Sequence, residues 1–401
     1  MAQLSKRVSG ILGDGKSGWE VHFEAVKRKR AGADILMLSI GDHDFDTPAQ
    51  TVEACVEALR SGHHHYTDLA GSAQLRAAMA RVSAISTGVP TRPENVITTP
   101  GGQGALFAAT QACLDVGDHA IVVGPYYATY PGTLRLAQAD FTVAQASAED
   151  DFEPRRAALE AALTPRTRAI MINSPNNPTG TVYSRATLDE IARFCIEHDL
   201  WLISDEVYWT LADGRHVSAL SLPGMEARTL VVNSVSKSHA MTGWRAGWLR
   251  APEHVIASLT SLNLVVTFGL ADFVGEALTR TLDGDWGVAE IARTYARRRQ
   301  AVLSAFEGMR GAVVRGSRGG MYVMLDVREL DPDGERFALG LLDAENIAVM
   351  PGESFGAAAA GHVRISLVQE DAVLADAAAR IRRHVERLAG EAGQAMLGAA
   401  Q

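Results

Sequence analysis

Residues 229–245 read TLVVNSVSKSHAMTGWR, and this stretch decides the fold. The apolar run Thr229–Asn233 is rich in β-branched residues, as expected of a strand covered on both faces. It ends in Ser234-Val235-Ser236-Lys237-Ser238, small residues around one lysine, and Arg245 follows eight residues after that lysine. Four runs of the same kind precede it: Asn95–Thr99, His119–Val123, Ala169–Ile172 and Trp201–Ser204. Helical patterns such as Ala105–Leu114 and Arg185–His198 lie between them. Short apolar runs separated by helix lengths predict an α/β fold, a mostly parallel sheet with helices on both faces. In such a sheet ligands bind in the crevice beyond the carboxyl ends of the strands.

Each run meets unusual chemistry at that edge. Asn95–Thr99 leads into Pro100-Gly101-Gly102-Gln103-Gly104 and a helical segment. Glycines at a helix mouth leave backbone amides free for an anion, a weak signal by itself. HAIVV ends in Gly124-Pro125-Tyr126-Tyr127, which offers an aromatic face. AIMI continues as Asn173-Ser174-Pro175-Asn176-Asn177-Pro178-Thr179-Gly180, a rigid turn that presents an amide at a fixed place. WLIS ends in Asp205-Glu206-Val207-Tyr208; if the chain turns helical there, Asp205 and Tyr208 share a face. A lysine at a strand end is usually solvated surface. Flanked by small serines and apolar runs, Lys237 stands in surroundings that suit a Schiff base. An aspartate emerging from a buried strand pairs with a pyridinium nitrogen, and pyridoxal phosphate requires both partners.

Beyond about Asp285 the pattern changes. A charged helix at Ile291–Met309 is followed by a strand-like stretch, Gly319–Val327, and a helix at Gly334–Glu345. Strands at Ile347–Met350 and His362–Leu367 and a closing helix at Asp371–Leu388 complete a smaller α+β unit. The first 45 residues hold no strand-helix unit of their own and are expected to pack against it. The division predicted is a large domain over 46–285 and a discontinuous small domain over 1–45 and 286–401.

The chain has 401 residues, 38 Lys+Arg against 47 Asp+Glu, so its formal net charge is −9. An acidic balance argues against a nucleic-acid surface, which needs a basic patch, and weakly against an anionic membrane. The start, MAQLSKRVSGILGDG, has no apolar signal region, and no stretch is long and apolar enough to span a bilayer. Cys55, Cys113 and Cys195 stand far apart, with no metal or disulfide spacing, and read as small buried hydrophobes. The expectation is a soluble cytoplasmic protein.

Two clusters are decoys. Gly10, Gly15, Lys16 and Ser17 fit the phosphate-loop pattern, and Gly13, Gly15 and Gly18 fit a dinucleotide pattern. Both need a hydrophobic strand immediately before the glycines, and AQLSKRVS is polar, so a nucleoside triphosphatase is disfavoured. His63, His64 and His65 are consecutive and cannot converge on one metal from a helix or a strand. No carboxylate partner is indicated for them, and no metal is expected.

With SPNNPTG, ISDEVY, SVSKSHAMTGWRAGW, YTDLAG and GHVRISL in this order and strand context, the chain resembles the class I/II aminotransferases over nearly its full length. These are pyridoxal-phosphate enzymes of the aspartate aminotransferase fold, fold type I, with a seven-stranded sheet. The resemblance implies that Lys237 holds the cofactor and shuttles the substrate proton. It implies that Asp205 pairs with the pyridine nitrogen, that Asn177 and Tyr208 contact the phenolic oxygen, and that Tyr127 stacks on the ring. The phosphate cup would comprise Gly102, Gln103, Ser234, Ser236 and Arg245, whose planar fork meets two phosphate oxygens. Tyr66 would reach the phosphate of a neighbouring subunit, which implies a homodimer with shared sites. Arg364 would bind the substrate carboxylate, with Gly41 closing against it.

Two departures stand out. His43 in SIGDHDF occupies a place where relatives usually carry proline, and Gly101 stands where some carry a phosphate-binding serine. No second arginine for a dicarboxylate side chain is evident, which weakens aspartate or glutamate as donor. DLWLISDEVY, SLPGMEARTLVVNS and SKSHAMTGWR look most like arginine–pyruvate aminotransferases. A cationic donor would need a carboxylate, for which Asp14, Glu20 and Asp44 are candidates, with Trp19 lining the pocket. The expected reaction is ping-pong transfer from an L-amino acid to a 2-oxo acid. The alternatives are a carbon–sulfur lyase or another elimination or decarboxylation on the same fold. A transcription regulator would need an added basic domain, and the aminotransferase pattern begins almost at once.

Overall fold

A computed structural model describes residues 2–11, 19–214 and 216–399, with side chains to residue 394 in the last helix. The first strand, β1 (Leu36–Met37), is a two-residue edge. The main sheet follows with β2 (Val96–Thr99), β3 (His119–Gly124), β4 (Asp140–Gln145), β5 (Thr167–Asn173), β6 (Trp201–Asp205), β7 (Thr229–Ser234) and β8 (Gly247–Arg250). Its seven strands lie in the order β2-β8-β7-β6-β5-β3-β4. Six run parallel, and β8 runs antiparallel to both of its neighbours.

Successive residues of one strand serve opposite cores. In β3, Ile121 and Val123 pack with Leu188, Ile191 and Phe194 of one helix layer. Val122, between them, packs with Leu106, Ala109 and Leu134 of the other. That alternation is why both faces must be apolar and why β3 reads as one unbroken run. Helix ends are marked by local chemistry. Ser184 accepts from the Thr187 amide at the start of the helix Arg185–Glu197. Ser72 caps the helix Ala73–Thr87, which Gly88 ends at φ 72°.

Two strands of this sheet were not expected. β4 is the edge and alternates exposed and covered residues, so it lacks the continuous apolar signature of its neighbours. β8 is four residues long, closes on Arg250, and directly follows the lysine segment.

The second sheet is antiparallel, with β9 (Val313–Arg315), β10 (Tyr322–Asp326), β12 (Met350–Pro351) and β13 (His362–Ser366) in the order β12-β13-β10-β9. The run expected as a single strand at Ile347–Met350 is split. β11 (Ile347–Ala348) pairs in parallel with β1, while β12 pairs with β13. The helices Val288–Phe306, Gly334–Glu345 and Asp371–Ala399 cover this sheet. Val21 and Ala25 of the helix Glu20–Arg30 enter the same apolar core as Leu341, Ile347 and Ile381. Tyr208 joins that core too, beside Tyr322, so the turn after β6 is where the two sheets meet. Among the described residues no helix is long and apolar enough to cross a membrane.

Candidate active site

The carboxyl ends of β2, β3, β5, β6 and β7 open into a cavity of about 300 Å³, closed on its other side by the 39–42 segment and the second sheet. Gly41, Gly102, Gln103, Tyr127, Asn177, Asp205, Tyr208, Ser234, Ser236, Lys237, Arg245, Arg364 and Trp19 all line it. Tyr66 does not. It is 84% exposed on another face, its ring tilted against Phe268 with the centroids 4.6 Å apart.

Asp205 forms the floor. Its Oδ2 accepts from the Tyr130 hydroxyl at 2.7 Å, and Oδ1 accepts from the Val207 amide at 3.3 Å. Burial pushes its carboxyl up to about 6, against the downward pull of those two hydrogen bonds. The chain does not turn α-helical after Asp205. It makes a turn into a short 3-10 segment, Trp209–Leu211, so Asp205 and Tyr208 do not share a helical face. They reach the cavity separately. The Tyr208 hydroxyl lies 3.4 Å from Asn177 Nδ2 and 3.1 Å from the Tyr322 hydroxyl.

The Asn-Pro turn is held by its own amides. Asn173 Nδ2 donates to the Asp205 carbonyl at 2.9 Å, and its Oδ1 accepts from the Asn177 amide at 2.7 Å. Asn177 Oδ1 then accepts from Arg364 Nη1 at 2.8 Å. Arg364 Nη2 donates to the Ser39 carbonyl at 2.5 Å. Its guanidinium lies between the Tyr322 and Phe355 rings, 4.3 and 4.7 Å from their centroids. Arg364 is 4% exposed, its Nε has no hydrogen-bond partner, and among the described residues no carboxylate pairs with it. A buried cation without a counter-ion is costly. An anion at this end of the cavity would offset that cost.

At the opposite end Arg245 has φ 53° and donates to the Thr242 carbonyl at 2.7 Å. Its Nη2 overhangs Gly101, φ 74°, where an added Cβ would fall 2.6 Å away. Only glycine leaves that space open. Ser234 Oγ lies 2.9 Å from Ser236 Oγ, and accepts from the Ser236 amide at 3.1 Å. Gln103 offers its main chain only, because its side chain is bound to Thr129 and Thr133 at 2.8 and 2.9 Å. Between the two ends, Lys237 Nζ donates to the Gly41 carbonyl at 2.5 Å. Gly41 has no room for a side chain, since a Cβ would lie 1.9 Å from the Tyr322 hydroxyl.

These residues fit pyridoxal 5′-phosphate. A guanidinium over an open glycine turn with serine hydroxyls suits the phosphate, and an aspartate bonded from below suits a ring nitrogen. A lysine stands between them, and Tyr127 offers a ring face. Tyr130, Asn173, Tyr322 and Phe355 were missed. Tyr130 follows Tyr127 by one helical turn and Asn173 opens the quoted turn, so both had a signal; Tyr322 and Phe355 look like ordinary core aromatics.

The carboxylates considered for a cationic donor fall elsewhere. Asp44 is bound bidentately by Arg298, both contacts at 2.7 Å, and Glu20 starts a helix outside the lining. Asp14 and the phosphate-loop residues Gly13, Gly15, Lys16, Ser17 and Gly18 lie outside the described residues. The acidic residues of the described lining are Asp42 and Asp205. His63 does have a carboxylate partner, contrary to expectation: Nδ1 lies 2.9 Å from Asp272 Oδ2. Among the described residues no three histidine, cysteine or acidic side chains converge as for a metal. Cys113 and Cys195 are buried, while Cys55 is only half-buried.

Residues 33–381 match the family model described as aminotransferase class I and II. The chain is 41% identical to an arginine–pyruvate transaminase of Pseudomonas aeruginosa, covering 95% of this chain and 98% of that protein. It is 38% identical to an aspartate/prephenate aminotransferase of Thermus thermophilus, covering 96% and 100%. Among solved structures it is similar to the Thermus thermophilus aspartate aminotransferase with maleate. The TM-score is 0.88 at 36% identity, over 96% of this chain and 100% of that one.

Proposed function

Since this chain belongs to the class I and II aminotransferases, pyridoxal-phosphate enzymes, we propose that it moves the amino group of a non-acidic L-amino acid, arginine first, to a 2-oxo acid such as pyruvate, by a ping-pong route. One observation carries this reading: Arg364, buried with no counter-ion among the described residues and bonded to Asn177, faces the same cavity as Lys237. An amino acid whose carboxylate meets Arg364 places its amino group and Cα toward Lys237.

Bound pyridoxal 5′-phosphate supplies an aldehyde that takes up the amino group and a ring that serves as electron sink. The chain's residues do the rest. Arg245, Ser234, Ser236 and the amides of Gly102 and Gln103 hold the phosphate. Asp205, fixed by Tyr130, keeps a proton on the ring nitrogen. Asn177 and Tyr208 orient the phenolic oxygen, and Tyr127 covers a ring face. Lys237 would hold the cofactor through Nζ, and its amine, when free, would take up the proton from the substrate Cα and hold it for return. Gly41, with no side chain, lets the 39–42 segment close on the substrate beside Trp19.

The donor assignment is supported by the lining's cations. Lys237, Arg245 and Arg364 are all engaged in the roles above, and the described lining holds no fourth cation for a second carboxylate. Asp42 is the one acidic lining residue besides Asp205, and is the partner offered to a guanidinium. Tyr66 supports a homodimer with shared sites, because it stands on a surface with exposed Val265, Val266 and Phe268. The sheets support a large domain over 46–285 and a small one over 1–45 and 286–401. Free cysteines support a cytoplasmic setting.

The test is the absorption spectrum of the purified protein with single amino acids. Arginine converting the cofactor band to the amine form, and pyruvate restoring it, is the expected result. Conversion by aspartate alone would overturn the donor assignment. Release of ammonia and pyruvate from a sulfur amino acid, without the amine form, would replace transfer by elimination.

A further inference from the structure

The departure at His43 has a structural counterpart. Ile40, Gly41 and Asp42 line the cavity, but His43 does not; its ring sits against the lysine turn. His43 Nε2 lies 3.1 Å from the Ser236 carbonyl oxygen, and Nδ1 lies 3.0 Å from the Tyr295 hydroxyl on the helix Val288–Phe306. Phe45 and Tyr295 pack on the ring at 4.9 and 5.5 Å.

These partners place the protons. A carbonyl oxygen only accepts, so Nε2 carries the hydrogen; in a neutral ring Nδ1 then accepts, and the Tyr295 hydroxyl donates. Neutrality follows from the surroundings. Burial and the nearby Lys237 ammonium push the imidazole down to about 4, against the opposing pull of the Ser236 carbonyl, Asp42 and Asp44. Arg298, which lies over the Tyr295 and Phe45 rings, is paired with Asp44.

The Ser236 carbonyl needs this donor. It belongs to a four-residue helix, Val235–Ser238, and Ala240, φ 52°, turns the chain away before a second turn can form. A proline at this position would have no side-chain donor and could not make the bond.

We propose that His43 is a positioning residue for Lys237: its Nε2–H, selected by the Ser236 carbonyl, holds the carbonyl immediately before the lysine, and the Tyr295 hydroxyl donates to Nδ1 and holds the ring in place. The helix Val288–Phe306 is thereby linked through one imidazole to the turn that presents the lysine. The proposal rests on the reading of Lys237 as the cofactor lysine.

The experiment follows recombination of the cofactor-free protein with pyridoxal 5′-phosphate, by the growth of the lysine-bound absorption band, in wild type, His43→Ala, His43→Gln and Lys237→Ala. Losing one such hydrogen bond slows recombination roughly tenfold in His43→Ala, and His43→Gln, which keeps a donor at that end, restores it to within about twofold of wild type. A purely structural loss would not be rescued by glutamine. Ring ¹⁵N shifts, with the His43 signals identified by their absence in His43→Gln, should show the Nε2–H tautomer. Tyr295→Phe should keep that tautomer, because the Ser236 carbonyl still selects Nε2. Equal rates in wild type and His43→Ala, no rescue by glutamine, or an Nδ1–H ring would overturn the positioning role alone. A lysine-bound band in Lys237→Ala, or none in wild type, would overturn the reading of the site beneath it.

Discussion

The Tyr130 hydroxyl donates to Asp205 Oδ2 at 2.7 Å, with both side chains buried beneath the cavity. That bond opposes the effect of burial on the carboxylate. Tyr130→Phe should leave Asp205 harder to ionise and loosen the cofactor roughly tenfold, since a hydrogen bond to a charged group contributes about 1.5 kcal/mol or more. The equilibrium dissociation constant of pyridoxal 5′-phosphate measures this. Unchanged affinity would remove Tyr130 from the site.

Asp205 also sets a pH dependence in the cofactor-free protein. Its folded value of about 6 stands above the ordinary 3.8, so the native state holds this proton more tightly. The stabilisation is fully present below about 3.8 and is lost as pH rises through 6. Asp205→Asn removes the burden, and should stabilise the cofactor-free protein at pH 8, by up to about 3 kcal/mol, while abolishing most turnover. Urea denaturation at pH 4 and pH 8 decides it: a variant weaker than wild type at pH 8 contradicts the sign.

Arg364 should govern substrate affinity. Arg364→Lys keeps a charge but loses the fork and the stacking between Tyr322 and Phe355, so the KM for the amino acid should rise roughly 10- to 100-fold with a smaller change in kcat. A fall in kcat at constant KM would assign the residue elsewhere.

Asp44 and Arg298 form an ion pair whose side chains are 15% and 5% exposed. Asp44→Ala leaves a buried guanidinium with Asp371 as its remaining carboxylate, and should cost about 3 kcal/mol of stability. Chemical denaturation reads the loss directly. A neutral result would mean that Asp371 alone satisfies Arg298.

Shared sites predict complementation. Lys237→Ala and Tyr66→Ala proteins, each inactive, should recover about a quarter of wild-type activity when mixed and allowed to exchange subunits, because half the dimers are hybrids with one intact site. No recovery, with exchange shown by mass, would confine each site to one chain.

Much of this was legible because parallel strands announce themselves. The runs at His119–Val123 and Thr229–Asn233 are apolar on both faces, and the residues that follow them are the ones that reach the cavity. What escaped has a physical reason in each case. β4 is an edge with a polar face, and β8 is too short to show a period. Tyr322 acts through a hydroxyl at the end of a core-like strand residue, and nothing in MYVML marks that contact. Asp44 stood as a candidate for the donor pocket because its partner, Arg298, lies 254 residues away and nothing in the sequence links the two.

Ser39 and Gly41 are two residues apart, and their carbonyl oxygens receive Arg364 and Lys237 respectively. Whenever the lysine amine is free, the gap between the group that grips the substrate and the group that handles its proton is gauged by one short piece of backbone. The backbone path through Ile40 sets that gauge, and a side chain that keeps the same φ and ψ there leaves it unaltered. A single inserted residue there would change the spacing at once. Length, more than composition, is what this segment has to preserve.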